Sequence, residues 1–203
     1  MDQCVNEPLS TTAQVMVFAD YAWGTLGLVA VLLLIRFGKL EKWVLWAYGL
    51  GWVLGVTFEL PQQLLNFTYA ANCEIDTLEP KYVMWIFHAA GDSVLLLLIL
   101  GLTYLIWRRR MLEKFLWPAA IFMGVLGMIQ EFIIESTQQI WVYESDNPWN
   151  PVWANWNDRD MTVQQWHWLI LPVIYYAIIR FWLYPKFGPK DAELTDQPEQ
   201  PVS

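Results

Sequence analysis

Residues 82–107 read YVMWIFHAAGDSVLLLLILGLTYLIW and are followed at once by Arg108, Arg109 and Arg110. This run is longer than the roughly 20 apolar residues that carry a helix across the hydrocarbon core of a bilayer. No water is present there to satisfy backbone N–H and C=O groups, so a single run must satisfy its own as a helix. Its second half is uncharged, whereas its first half carries His88 and Asp92. The i,i+3 and i,i+4 spacing puts Trp85, His88 and Asp92 on one face.

Four further runs have the same character: Ala13–Ile35, Trp43–Leu65, Phe115–Ile134 and Val163–Tyr184. The expected fold is an all-α, five-helix transmembrane bundle over 13–184. An outer segment (1–12) precedes it, a Trp-rich outer loop (137–161) interrupts it, and a Pro- and acid-rich disordered cytoplasmic tail (185–203) follows. The first run is expected to be a span and not a signal peptide, because no basic segment precedes it and it is too long.

The 203 residues are 56% hydrophobic and only 16% charged, which excludes an ordinary soluble globule. The net charge of −8 says little, because the charges are segregated along the chain. Arg36, Lys39 and Lys42 lie between the first two runs, Arg108, Arg109, Arg110 and Lys114 between the third and fourth, and Arg180, Lys186 and Lys190 at the end of the fifth. The other side holds Lys81 and Arg159. By the positive-inside rule the amino terminus is outside or lumenal and the carboxyl terminus cytoplasmic. That predicts an integral multi-pass protein, in the endoplasmic reticulum membrane if eukaryotic and the inner membrane if bacterial. No basic stripe suits nucleic acid. Oligomeric state is left open. Cys4 and Cys73 both fall on the outer side, where an oxidising compartment would allow a bridge. The Asn66-Phe67-Thr68 sequon lies too close to the second run for expected use.

Ionisable groups inside a membrane are costly and point to function. Asp20, Glu59, His88, Asp92, Glu131 and His167 all fall in the outer half of their runs, with Glu135 near an end. The inner halves, such as Val29–Ile35 and Val94–Leu102, are uncharged, which favours a pocket opening outward or sideways over a pore. Gly51, Gly55, Gly124 and Gly127 permit close helix approach, and Pro61 is expected to bend the end of the second run. With no Lys or Arg at the level of the acids, the carboxylates cannot all stay ionised, and a carboxyl group kept neutral can act as a general acid. Trp23, Trp52 and Trp85 lie near this level, and aromatic faces stabilise cations. Together these features suit carbocation chemistry on a sterol or isoprenoid, and equally the binding of an amphipathic amine. Two histidines among carboxylates could ligate iron or manganese. The paired Glu-x-x-His motifs of helical di-iron sites are missing, however, and no metal or cofactor is expected.

Trp168-Leu169-Ile170-Leu171-Pro172 resembles the W-L-x-L-P of the last span in the emopamil-binding family, the EXPERA-domain group that includes sterol delta8-delta7 isomerase. Gly127–Thr137 is similar to that family's fourth span. The family's second span pairs a His with a Glu four residues on; Glu59 matches the Glu, but Gly55 stands at the His position. Gln165 stands where the family has Asn, and Asp92, beside His88, answers its third-span acid. The resemblance implies that Glu59, Asp92, Gln165 and Trp168 line a ligand cavity. It also implies that a double bond moves by protonation followed by proton removal.

The candidate catalytic residues are therefore Glu59, His88, Asp92 and Glu131, and the candidate substrate-binding residues Trp52, Trp85, Gln165, His167 and Trp168. The expected function is an intramembrane acid–base enzyme, an isomerase or cyclase, acting on a hydrophobic small-molecule or lipid substrate. A non-catalytic lipid binder, a proton-coupled carrier and an assembly subunit are the alternatives.

Overall fold

The structure, a computed structural model, describes residues 11–65, 68–70, 81–137, 141–143, 148–156 and 159–189. The Cys4 and Cys73 pair, Asn66 of the sequon and the tail from residue 190 lie outside the described residues. So do the side chains of Asp20, Trp85 and Glu135.

The apolar runs are helical. Helix α1 spans Thr11–Arg36, α2 Trp43–Leu64 and α3 Lys81–Trp107. A single turn, α4 (Arg110–Glu113), leads to α5 (Trp117–Thr137). The last helical stretch opens with a 3₁₀ turn at Val163–Trp166 and continues as α6 (His167–Ile178). It then widens to a π turn at Ile179–Leu183 and closes as α7 (Tyr184–Phe187). Helix therefore runs to Phe187, past the end of the apolar run at Tyr184.

Among the described residues, three helical stretches are long and apolar enough to cross a membrane: Trp43–Gln62, Ile86–Trp107 and Val163–Phe187. Their surroundings fit a membrane protein. Phe18, Val53, Leu105, Ile121 and Phe181 are exposed on the outside of the helices, an apolar surface far beyond what a soluble monomer shows to water.

Two connections show how the chain reverses. After α1, Gly38 adopts φ 65°, and the Gly38 and Lys39 N–H groups donate to the Ile35 and Leu34 carbonyls, the pattern that closes a helix through a left-handed residue. After α3 the left-handed position is filled by Arg108, at φ 52°, where a glycine would be unstrained.

Helix α3 is the axis of the bundle, packed along α1, α2, α5 and α6, while α5 and α6 pair closely. Small residues set these distances. A Cβ on Gly51 would stand 2.8 Å from Ser93 Oγ, and one on Gly127 would overlap the Trp168 carbonyl oxygen, so α2 meets α3 and α5 meets α6 almost backbone to backbone. Helix α2 continues through Pro61 to Leu64.

The core divides along the bundle axis. Towards the Arg36 and Arg108 connections, here the basic end, it is apolar: Leu96, Ile99, Met111, Met123, Ile179 and Leu183 are buried together. Tyr175 and Tyr176 are fully enclosed there and use their hydroxyls on backbone, Tyr175 donating to the Ala47 carbonyl at 3.1 Å and Tyr176 to that of Met111 at 2.8 Å. Towards the opposite end the buried residues include Glu59, Gln62, Asp92, Glu131 and Gln165.

The chain is mostly helical, as expected, but that opposite end adds short strands to the all-α bundle. Strand β1 (Thr68–Ala70) pairs antiparallel with β2 (Trp141–Tyr143), and β3 (Val152–Trp156) with β4 (Arg159–Thr162). The 137–161 segment thus contains strands. Three to five residues of mixed aromatic and polar character give no long periodic signal in the sequence.

Candidate functional site

The site begins with the turn that starts the last helical stretch. Asn150 and Gln164 face each other: the Gln164 N–H donates to Asn150 Oδ1 at 2.9 Å, and Asn150 Nδ2 lies 3.4 Å from Gln164 Oε1. The Val163 N–H donates to the Pro151 carbonyl at 3.0 Å. These contacts pin the 3₁₀ turn to the segment before β3 and so fix the side chains it presents to the bundle. Gln165 is fully buried. Its Oε1 accepts the Thr162 N–H at 2.8 Å, and its Nε2 donates to Glu131 Oε1 at 3.3 Å. A buried amide held on one side by backbone is thereby aimed at a buried carboxyl on the other.

The second group lies between α2 and α3. Glu59, His88 and Asp92 bring one potential ligand atom each to within 4.8 Å of one another. His88 Nε2 stands 3.7 Å from Glu59 Oε1. The i,i+4 spacing of His88 and Asp92 supplies two members from one helix, and the close α2–α3 approach, with Gly55 set against Ala89, brings the third across.

His167 stacks on Phe58, the residue preceding Glu59, with ring centroids 3.4 Å apart. Its Nδ1 is 2.7 Å from the Gln164 carbonyl. A carbonyl only accepts, so Nδ1 carries the proton and Nε2 the lone pair. Trp168 is buried with its ring 5.1 Å from that of His167.

The four acid–base candidates therefore fall into two groups: Glu59, His88 and Asp92 in one, Glu131 with Gln165 in the other. Gln165, His167 and Trp168 are all drawn in by the last helical stretch. Trp52 sits on the α2–α3 seam, 40% exposed as a residue, with its Nε1 donating to the Ile86 carbonyl at 3.1 Å. Trp23 lies against Gly91, beside Asp92: its Cδ1 would be 3.4 Å from a Cβ on that glycine.

Phe58 and Gln62 are the neighbours that sequence reading passed over. Gln62 is buried one turn beyond Glu59, and its i,i+3 spacing from that acid was the available signal. Phe58 gave none, since one more aromatic residue in an apolar run looks like packing.

Chemically, the first group can bind a cation or exchange protons, and the second offers a single oriented carboxyl. Compared with known protein families, with curated proteins and with solved structures, the chain matches none.

Proposed function

We propose that the chain is a five-span membrane protein, amino terminus outside or lumenal, that performs acid–base chemistry on a sterol or isoprenoid lipid within the bilayer. The length of the two remaining helices supports the spans. At about 1.5 Å per residue, the 26 residues of α1 and the 21 of α5 reach about 39 and 31 Å, against a hydrocarbon core of about 30 Å. The sorting of Lys and Arg to one set of connections supports the orientation.

The single observation that carries the chemistry is the burial of Glu131, aimed at by Gln165, in a chain that also buries Glu59 and Asp92 next to His88, with no Lys or Arg between Lys42 and Lys81 or between Lys81 and Arg108. In this reading a carboxylic acid delivers its proton to a substrate double bond. The electron pair of that bond forms the new C–H bond and leaves a carbocation, which the Trp168 face shelters. His88 or a carboxylate then removes a different proton, and its C–H electrons close the double bond in a new position. One proton enters and one leaves, so no oxidant or reductant is needed. The resemblance of 168–172 and 127–137 to the emopamil-binding family points to the same substrate class.

The experiment is turnover in deuterium oxide. The full chain in nanodiscs, given sterols and linear isoprenoids with internal double bonds, is expected to return product one mass unit heavier. Product without solvent hydrogen would overturn the proton-delivery step. A folded protein that carries co-purified lipid but converts none of these substrates would replace the enzyme by a lipid binder.

A further inference from the structure

We infer that Glu59, His88 and Asp92 form a binding site for one divalent transition-metal ion, of the class Mn²⁺, Fe²⁺ or Zn²⁺. This goes beyond the acid–base reading, which treats the same groups as carrying protons only.

Spacing is the first argument. Metal–ligand bonds to His nitrogen and carboxylate oxygen measure about 2.0–2.2 Å, so two ligand atoms on one ion stand about 3–4.4 Å apart. The 3.7 Å between His88 Nε2 and Glu59 Oε1 lies inside that range and is too long for a hydrogen bond. All three ligand atoms fall within 4.8 Å of one another, so a shift of a few tenths of an ångström closes the set.

Charge is the second. Two carboxylates share a buried site on helices that contribute no arginine, and the only lysine of α2 or α3 is Lys81, seven residues before His88, about 10 Å along the axis. A dication neutralises both acids at once, whereas a protonated His88 would neutralise one. The donor set of one imidazole and two carboxylates then selects the class of ion, since all-oxygen sites suit Mg²⁺ and Ca²⁺ and thiolates are absent from this group.

His167 lies outside the group of three ligands and borders it through Phe58. Its Nδ1 proton is committed to the Gln164 carbonyl, and its Nε2 is buried with no hydrogen-bond partner among the described residues. A backbone carbonyl fixing the tautomer of an imidazole whose other nitrogen keeps its lone pair is the arrangement found behind metal-ligating histidines. The ring lies against Phe58, next to Glu59.

The test uses the full chain in nanodiscs, stripped with chelator and titrated with Mn²⁺ under electron paramagnetic resonance. One Mn²⁺ per chain is expected, displaced by Zn²⁺, with spin-echo modulation from at least one imidazole nitrogen. Glu59→Gln and Asp92→Asn are expected to weaken binding about a hundredfold. His88→Gln is expected to remove or reduce the nitrogen modulation, and Glu113→Gln on the exposed α4 turn to change nothing. Failure of the wild-type chain to bind, or binding without nitrogen coupling, overturns the site whether or not the variants fold. Binding that survives both carboxylate substitutions in folded protein also overturns it. The two readings fail separately: bound Mn²⁺ without lipid turnover leaves the metal site standing, and turnover with deuterium uptake by a chain that binds no metal leaves only the acid–base reading.

Discussion

Gln165 Nε2 donates to Glu131 Oε1 at 3.3 Å while Gln165 Oε1 accepts the Thr162 N–H at 2.8 Å, so the amide cannot turn round without breaking both bonds. The start of the last helical stretch is thereby coupled to the outer half of α5. A buried carboxyl receives an N–H whose direction is set by backbone.

Exchanging that donor for an acceptor tests the coupling. In Gln165→Glu the Thr162 bond can persist, but the N–H that faced Glu131 is replaced by oxygen, leaving two acids in contact. The expected loss of stability is about 1–3 kcal/mol, the range for a buried polar group deprived of its partner. Thermal unfolding in detergent measures it, and an unchanged midpoint would show that the amide does not hold the two helices.

Close packing makes a prediction free of charge effects. Gly127→Ala would drive a Cβ into the Trp168 carbonyl, which belongs to a helix backbone and cannot swing aside. Overpacking of this kind costs about 1–3 kcal/mol. Gly101→Ala, where nothing lies within 4 Å of the new methyl, is expected to stay within about 0.5 kcal/mol of the parent. Equal effects would mean that α5 and α6 are not in backbone contact.

At the basic end, Tyr176 ties down the connection from α4 to α5. Its hydroxyl donates to the Met111 carbonyl, lies 3.3 Å from that of Lys114 and accepts the Leu116 N–H at 3.0 Å. Tyr175 makes one such bond, to Ala47. Removing Tyr176's hydroxyl is expected to cost about 1–3 kcal/mol and to speed amide hydrogen exchange over 111–116. Tyr175→Phe should cost about 0.5–1.5 kcal/mol, with no such local signature. Reversal of that order would assign the connection's stability to its apolar contacts.

The helices were legible because hydropathy acts over whole turns: the runs beginning at Trp43 and Tyr82 become helices beginning at Trp43 and Lys81. The His88–Asp92 pair was legible from spacing alone. What hydropathy cannot report is the azimuth of one helix against another. Glu59 and Glu131 were therefore assigned to one level without a sign that Glu59 joins His88 while Glu131 turns to Gln165. Nor could it foresee that Trp52 sits on a half-exposed seam, or that Asn150 locks Gln164. These follow from where helices touch and where a short strand begins.

Sidedness can be read with the two cysteines, Cys4 and Cys73. A membrane-impermeant maleimide on reduced, intact cells or right-side-out vesicles is expected to label one or both, while a tag at Ser203 is reached only after permeabilisation. Labelling of both cysteines on the same side as the tag would contradict an odd number of spans.

Glu131→Gln separates proton transfer from binding. The substitution keeps the size of the side chain and an oxygen that can accept from Gln165, so the local packing and the hydrogen bond survive, but no acidic proton remains. If Glu131 is the acid, turnover should fall at least about a hundredfold, the usual contribution of a positioned general acid, while lipid affinity stays at the parental value. Asp92→Asn should also lower turnover. If the metal site exists, Asp92→Asn also releases Mn²⁺, whereas Glu131→Gln, outside the Glu59–His88–Asp92 group, retains it. Parental turnover in folded Glu131→Gln would remove Glu131 from the chemistry. A loss of lipid affinity equal to the loss of turnover would make it a binding residue and favour the non-catalytic reading.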